Sequence, residues 1–154
     1  MKKQELSFPE LNHYTQLVFT NGVFDIIHPG HLKLLKECKK ILKGMNASLI
    51  VAINSDASTK RLKGSSRPIN TEEVRKKNLE DTGLVDEVII FNEDTPYELI
   101  KKLQPYCIVK GGDYKPDDVV GKDIAPVYIV PTLKGHSTTN IIDNRGSGFY
   151  DRHY

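Results

Sequence analysis

The segment TNGVFDIIHPGH, residues 20–31, sets two histidines, His28 and His31, on either side of a Pro-Gly step. With a strand ending near Asp25 and a helix beginning at Pro29, both imidazoles fall at the helix's N-terminal mouth. Side chains at i and i+3 are neighbours there, and unpaired backbone N–H groups carry partial positive charge. Such a mouth suits a phosphate. Pro29 fits the first helical turn, and Gly30 has no side chain to keep a phosphate away from the backbone. A zinc site would need further ligands at motif spacing, and no nearby His, Cys or carboxylate supplies them. Histidines that merely cap the helix are the plainer alternative.

Three further groups carry chemistry. In STKRLKGSSRP (58–68), Lys60, Arg61, Lys63 and Arg67 fall within eight residues of a Gly/Ser-containing stretch that reads as a surface loop. Such a cluster is either a solvated face or a mobile basic loop able to close over a triphosphate. In KGGDYKP (110–116), Gly111 and Gly112 are either simple turn residues or a place where backbone approaches a nucleotide. Asp113 is then available to a sugar hydroxyl or a metal-bound water. In GHSTTNII (135–142), Ser137, Thr138 and Thr139 fit the start of a last helix, where hydroxyls cap the helix or hold phosphate.

These groups need a scaffold that brings them to one place. Apolar runs bounded by turn residues recur at 16–20, 48–54, 86–91, 106–111 and 126–130, mostly short, β-branched and continuous, the pattern of strands buried on both faces. Between them, helical spacing predicts helices over 30–43, over 72–82 with Thr71 as N-cap, and over 95–103, where Thr95, Pro96 and Glu98 read as cap, first turn and capping box. Alternating strands and helices imply right-handed crossovers and an α/β fold, a Rossmann-like doubly wound parallel sheet of about five strands with helices on both faces. Ligands of such sheets bind at the carboxyl ends of strands, and all four groups follow strands.

Composition agrees with a single domain spanning 1–154, with 1–15 as an N-terminal extension and 143–154 as a peripheral tail: the 154 residues are 38% hydrophobic and 27% charged. The formal net charge of +2 gives no reason to expect a general polyanion or nucleic-acid binder. Cys38 and Cys107 sit in apolar segments without metal-type spacing and read as buried small hydrophobes in a reducing compartment. No apolar run reaches the roughly 18 residues of a membrane span and the start lacks an apolar signal core, so a cytoplasmic protein is expected.

The motif GVFDIIHPGH together with STTNII resembles the cytidylyltransferase-like nucleotidyltransferases, whose signature is a His-x-Gly-His pair and a later Ser-Thr-Thr. The segments VAINSDASTKRLKGSSRPIN, EDTP, IVKGGDYKP and STTNII are similar, more narrowly, to the adenylyltransferase domain of bacterial enzymes that make ADP-heptose from D-glycero-β-D-manno-heptose 1-phosphate. The likeness runs from about residue 17 to 142.

The resemblance implies transfer of AMP from ATP to a sugar 1-phosphate, with Mg2+ accompanying the nucleotide. On this sequence it implies that His28, His31 and Lys63 serve catalysis. Thr20, Asn21, Gly22, Phe24, Asp25, Gly30, Gly111, Gly112, Asp113, Ser137, Thr138 and Thr139 would then line the nucleotide, with Asp25 near the phosphates or the magnesium. Asp56, Arg61, Arg67 and Arg75 are its candidates for the site's polar border and substrate phosphates. It further implies a homodimer, for which TGLVDEV (82–88) is a candidate contact, and a separate upstream sugar kinase, because many such enzymes carry a kinase domain that this sequence lacks. Cytidylyl transfer to glycerol 3-phosphate or a similar phosphorylated alcohol is the alternative within the same chemistry. Two departures bear on substrate choice: a shortened stretch at 117–126, and His136 where a small residue usually precedes Ser-Thr-Thr.

Overall fold

The computed structural model describes residues 16–131 except Asp113. Five strands, β1 (Gln16–Gly22), β2 (Ala47–Asn54), β3 (Glu87–Phe91), β4 (Cys107–Gly111) and β5 (Val127–Val130), form one sheet. Its order is β3-β2-β1-β4-β5, and every neighbouring pair is parallel. The helices are α1 (Pro29–Leu42), α2 (Asp56–Lys63), α3 (Glu72–Asp81) and α4 (Tyr97–Leu103). The chain builds outward from β1 through β2 to β3, then crosses back to lay β4 on the other side of β1. The topological switch point therefore lies between β1 and β4, and sheets of this class bind their ligands outside the strands' carboxyl ends at that point.

The expected strands appear within a residue or two of their predicted limits; the central runs of β1, β2 and β4 are buried on both faces, whereas edge strand β5 leaves Tyr128 exposed. Val18, Leu49, Val51, Cys107 and Val109 pack on one side with Leu35, Cys38 and Leu42 of α1 and Leu79 of α3. Phe19, Ile50, Ala52 and Ile108 pack on the other with Ile100 and Leu103 of α4. In α1 the buried residues His31, Leu35, Cys38 and Leu42 follow a helical stripe, and Lys39 and Lys40 in its last turn complement the helix dipole. The two thiols are free and buried, as expected. Burial raises Cys38 to about 12 and Cys107 to about 11.

Two local expectations are revised, and a third segment is described. The basic stretch read as a loop begins as helix α2. Ser55 Oγ accepts from Ser58 N at 3.0 Å, while Ser58 Oγ donates to the Glu93 carbonyl and Thr59 Oγ1 to the Ser55 carbonyl, both at 2.8 Å. The hydroxyls that look loop-forming in composition are thus buried and satisfied inside a helix. Helix α4 begins at Tyr97, with Pro96 in the cap position and Thr95 Oγ1 accepting from Tyr97 N at 3.4 Å, later than the capping-box reading places it. Within 82–88, Leu84 and Val85 pack against the core, and the Asp86 carboxylate accepts from Leu49 N at 2.7 Å, so this stretch is partly engaged within the chain.

The shortened stretch after β4 forms a 3-10 turn at Pro116–Asp118, followed by buried Val119 and Ala125. Gly121 permits this tight return: its φ is +95°, and a Cβ there would lie 2.8 Å from Ile108 Cδ1 and 2.9 Å from Ile100 Cδ1.

Candidate active site

The turn between β1 and α1 builds the centre of the site. His28 is the N-cap of α1, and its Nδ1 accepts from Gly30 N at 3.1 Å and His31 N at 3.3 Å. A nitrogen that accepts two backbone N–H groups carries no proton, so the neutral ring's proton resides on Nε2. The ring of His31 stacks on His28 with centroids 3.8 Å apart and planes 19° apart, and both side chains are buried. Capping therefore occupies the Nδ1 edge of the His28 imidazole.

This revises the expected role of the helix backbone. Pro29 has no N–H, and those of Gly30 and His31 point at His28, so imidazole edges rather than bare amides form the mouth.

Phe24 holds the pair from behind. It adopts a left-handed backbone (φ 53°), its ring centroid is 4.8 Å from that of His31, and it is 3% exposed. Gly22 makes room for that ring, since a Cβ at Gly22 would sit 3.1 Å from Phe24 Cε2. Strain of this kind in a non-glycine residue collects at functional turns. Phe24 and Gly22, expected to line the nucleotide, thus support the histidines by packing. Thr20 is fully buried on β1, and its Oγ1 has no hydrogen-bond partner among the described residues.

Asp25 and Arg75 tie the surrounding loops together. The carboxylate of Asp25, fully buried, accepts from Ile69 N and Asn70 N at 2.8 Å each, and Asn70 Nδ2 donates back to the Asp25 carbonyl. Each oxygen thus accepts one backbone N–H, and Asp25 clamps the loop before α3 to the end of the β1–α1 turn.

Arg75 is likewise fully buried. It donates to the carbonyls of Asn70 (3.0 Å), Val23 (2.9 Å) and Asn54 (2.8 Å) and to Asp56 Oδ1 (2.8 Å). It joins the exits of β1 and β2 to the loop before α3 and has its guanidinium committed to protein acceptors instead of substrate phosphate. Asp56 is its ion-pair partner and also receives support from Glu72, whose carboxylate accepts from Asp56 N at 2.7 Å.

The basic group divides. Arg61 pairs with Asp94 at 2.9 Å and also donates to the Asn92 carbonyl, which turns it toward the loop after β3. Lys63 ends α2 and is half-buried, and Arg67 is 7% exposed in the loop that follows. Gly111 ends β4, a Cβ there would meet nothing within 4 Å, and Gly112 N donates to the Val130 carbonyl at 2.7 Å. Asp113, His136, Ser137, Thr138 and Thr139 lie outside the described residues, as do the expected last helix and the tail.

Sequence reasoning missed Lys110, Asn70 and Asn54. The ammonium of Lys110, 4% exposed, donates to the carbonyl (2.9 Å) and Oδ1 (3.2 Å) of Asn21 and lies 4.7 Å from the centroid of the Tyr114 ring. A lysine inside the apolar run of β4 was the available signal, since a buried ammonium requires dedicated partners.

Among the described residues no group of three or more His, Cys, Asp or Glu side chains could hold a metal ion. No helix among the described residues is long and apolar enough to cross a membrane.

A parallel sheet with its switch point beside β1, and paired imidazoles at the mouth of the first helix, define a nucleotide-handling α/β protein. The cytidylyltransferase-like family model matches residues 19–144. The chain belongs to that family and is a nucleotidyltransferase.

It is 51% identical over 133 residues to the bifunctional protein HldE of a Nitratiruptor species, covering 86% of this chain and 28% of that protein. To the bifunctional protein HldE of Aliarcobacter butzleri it is 50% identical over 128 residues, covering 82% and 26% respectively. The chain thus spans about a quarter of the length of these relatives. Among solved structures, the lipopolysaccharide core biosynthesis protein from Thermoplasma volcanium superposes with a TM-score of 0.61 at 30% identity, over 77% of this chain and 97% of that one.

Proposed function

We propose that the chain transfers the AMP moiety of ATP to D-glycero-β-D-manno-heptose 1-phosphate, releasing pyrophosphate and forming ADP-heptose for a surface glycan. The observation that carries this reading is the stacked His28–His31 pair at the mouth of α1, in a chain that is 51% identical to an HldE protein over 86% of its own length. The relation to a lipopolysaccharide core biosynthesis protein supports the same direction.

In this reaction an oxygen of the sugar phosphate bonds to the α-phosphorus of ATP while the bond from that phosphorus to the bridging α–β oxygen breaks. Pyrophosphate leaves with the electron pair. The nucleophile is already an anion, so neither a general base nor a covalent intermediate is required. Catalysis reduces to aligning two polyanions and stabilising charge as it redistributes.

His28, its proton held on Nε2 by the cap, and His31 donate to the phosphoryl oxygens. Lys63, with Arg67 beside it in sequence, neutralises phosphate charge from the far side. Asn21, Gly111, Gly112 and Asp113 border the nucleotide, and Ser137, Thr138 and Thr139 hold phosphate after β5. Magnesium arrives as part of the nucleotide substrate, ligated by phosphate oxygens. The sugar 1-phosphate requires a kinase acting on the anomeric hydroxyl, and the enzyme works in the cytoplasm as a homodimer.

The test is pyrophosphate release by the purified chain, crossing ATP, CTP and GTP with both anomers of heptose 1-phosphate and with glycerol 3-phosphate. Release confined to ATP and the β-anomer is expected. Preference for CTP with glycerol 3-phosphate would overturn the substrate assignment and leave the histidine chemistry standing.

A further inference from the structure

The ion-dipole bridge between Lys110 and Asn21 joins the two strands that flank the switch point, across 89 residues of sequence. The register that sets Phe19 of β1 against Ile108 of β4 brings Asn21 level with Lys110 two residues further on, on the same face of the sheet.

A side-chain amide has an acceptor edge and a donor edge, and an ammonium can only donate. With Nζ 3.2 Å from Oδ1 and 2.9 Å from the carbonyl of the same residue, the oxygen edge of Asn21 is locked toward Lys110 and the Nδ2 edge is turned away from it. Asn21 retains 7% exposure at the carboxyl end of β1, one residue before the Gly22–Phe24 turn that supports the histidines. The Tyr114 ring, its centroid 4.7 Å from Nζ, is a further contact that holds the Lys110 side chain in place.

We propose that Lys110 is a positioning residue that fixes the amide of Asn21 so that its N–H2 edge faces the crevice and donates to a phosphate oxygen of the bound nucleotide. This rests on the nucleotidyl-transfer reading above and adds to it the device that orients one phosphate donor. Without the ammonium, the amide is free to rotate and present its oxygen, an acceptor, to the same anion. The assignment is chemically directional: a donor edge attracts phosphate and an acceptor edge repels it.

The discriminating substitution is Asn21→Asp. A carboxylate at this position keeps a favourable partner in Lys110, so the fold is retained, but the donor edge becomes a second acceptor. The expected result is an unchanged thermal midpoint with kcat/KM for ATP lowered by about 10²–10³-fold, comparable to losing one oxyanion donor. Lys110→Met, which keeps the length of the stem, should lower kcat/KM by about 10- to 100-fold through misplacement. It should add little further loss in an Asn21→Ala background, because both changes act on the same donor.

Binding of ATP and of inorganic pyrophosphate, measured by calorimetry on the same full chains, gives a readout independent of turnover and should weaken in parallel. Activity and pyrophosphate affinity at wild-type level in Asn21→Asp would overturn the proposal, as would full additivity of Lys110→Met with Asn21→Ala. If Lys110→Met does not fold, Asn21→Asp alone decides. A wild-type chain that releases no pyrophosphate with any substrate pair would instead refute the reaction on which the proposal rests, an outcome distinct from these.

Discussion

Replacing Arg75 by methionine separates a loop clamp from a substrate ligand. The guanidinium is fully buried and donates to three backbone carbonyls and to Asp56 at 2.8–3.0 Å. Methionine fills much of the volume but satisfies none of these acceptors, and it leaves the Asp56 carboxylate without its cation. The Asp56 carboxylate is 32% exposed and keeps water, so most of the loss comes from the three carbonyls left without a donor, at about 1–3 kcal/mol each; a total of about 3–5 kcal/mol is expected, a large share of the roughly 5–15 kcal/mol by which a domain is stable. At about 2–4 °C per kcal/mol for a chain of this size, the midpoint should fall by about 6–20 °C.

The assay is circular dichroism followed on heating for the thermal midpoint and in urea for the free energy, with the urea slope unchanged. Arg75→Lys keeps the charge but has only one nitrogen to serve four acceptors in different directions, so it should recover less than half of the loss. A loss of under about 1 kcal/mol for Arg75→Met, combined with a raised KM for ATP, would refute the clamp and restore Arg75 as a phosphate ligand.

Other substitutions test the remaining features of the site and fold. His28→Ala should lower turnover by about 10²–10³-fold and also remove the α1 cap at about 1 kcal/mol. His28→Asn should restore the thermal midpoint but not turnover, and recovery of both would show that the ring only caps. Gly121→Ala meets a positive φ and two isoleucine methyl groups under 3 Å, so a loss of about 2 kcal/mol or more is expected in chemical denaturation.

Cys38 and Cys107 should resist a thiol reagent in the folded protein and react on unfolding. Their pH linkage follows from thiols raised by burial from 9.0 to about 12 and about 11. The unfolded chain loses these protons first, so stability is full below pH 9 and declines at up to about 1.4 kcal/mol per pH unit per thiol above it. Denaturation midpoints that do not fall between pH 9 and 11 would contradict this.

The strands were legible in the sequence because each has an uninterrupted apolar run, which the central strands β1, β2 and β4 need to be buried on both faces; β5 has the run at the sheet edge, with Tyr128 exposed. Helix α1 was equally legible, since Pro29 and its apolar stripe act within a few residues of chain. Helix α2 was not: Ser58 and Thr59 resemble loop residues until the Glu93 and Ser55 carbonyls that accept their hydrogen bonds are in place.

Alternation of strands and helices determined a parallel sheet but not the order of its strands. Only the crossover after β3 brings β4 against β1 and so sets Lys110 beside Asn21. The same distinction governs the site. Two histidines around Pro-Gly suggest an anion site, and thereby the proposed reaction, by local spacing alone. Whether an Asp25 or an Arg75 reaches a ligand or spends its charge on a loop depends on which distant backbone groups the fold buries beside it. A charged side chain in the interior is claimed by the nearest unsatisfied acceptors and donors, and their identity is a property of tertiary structure.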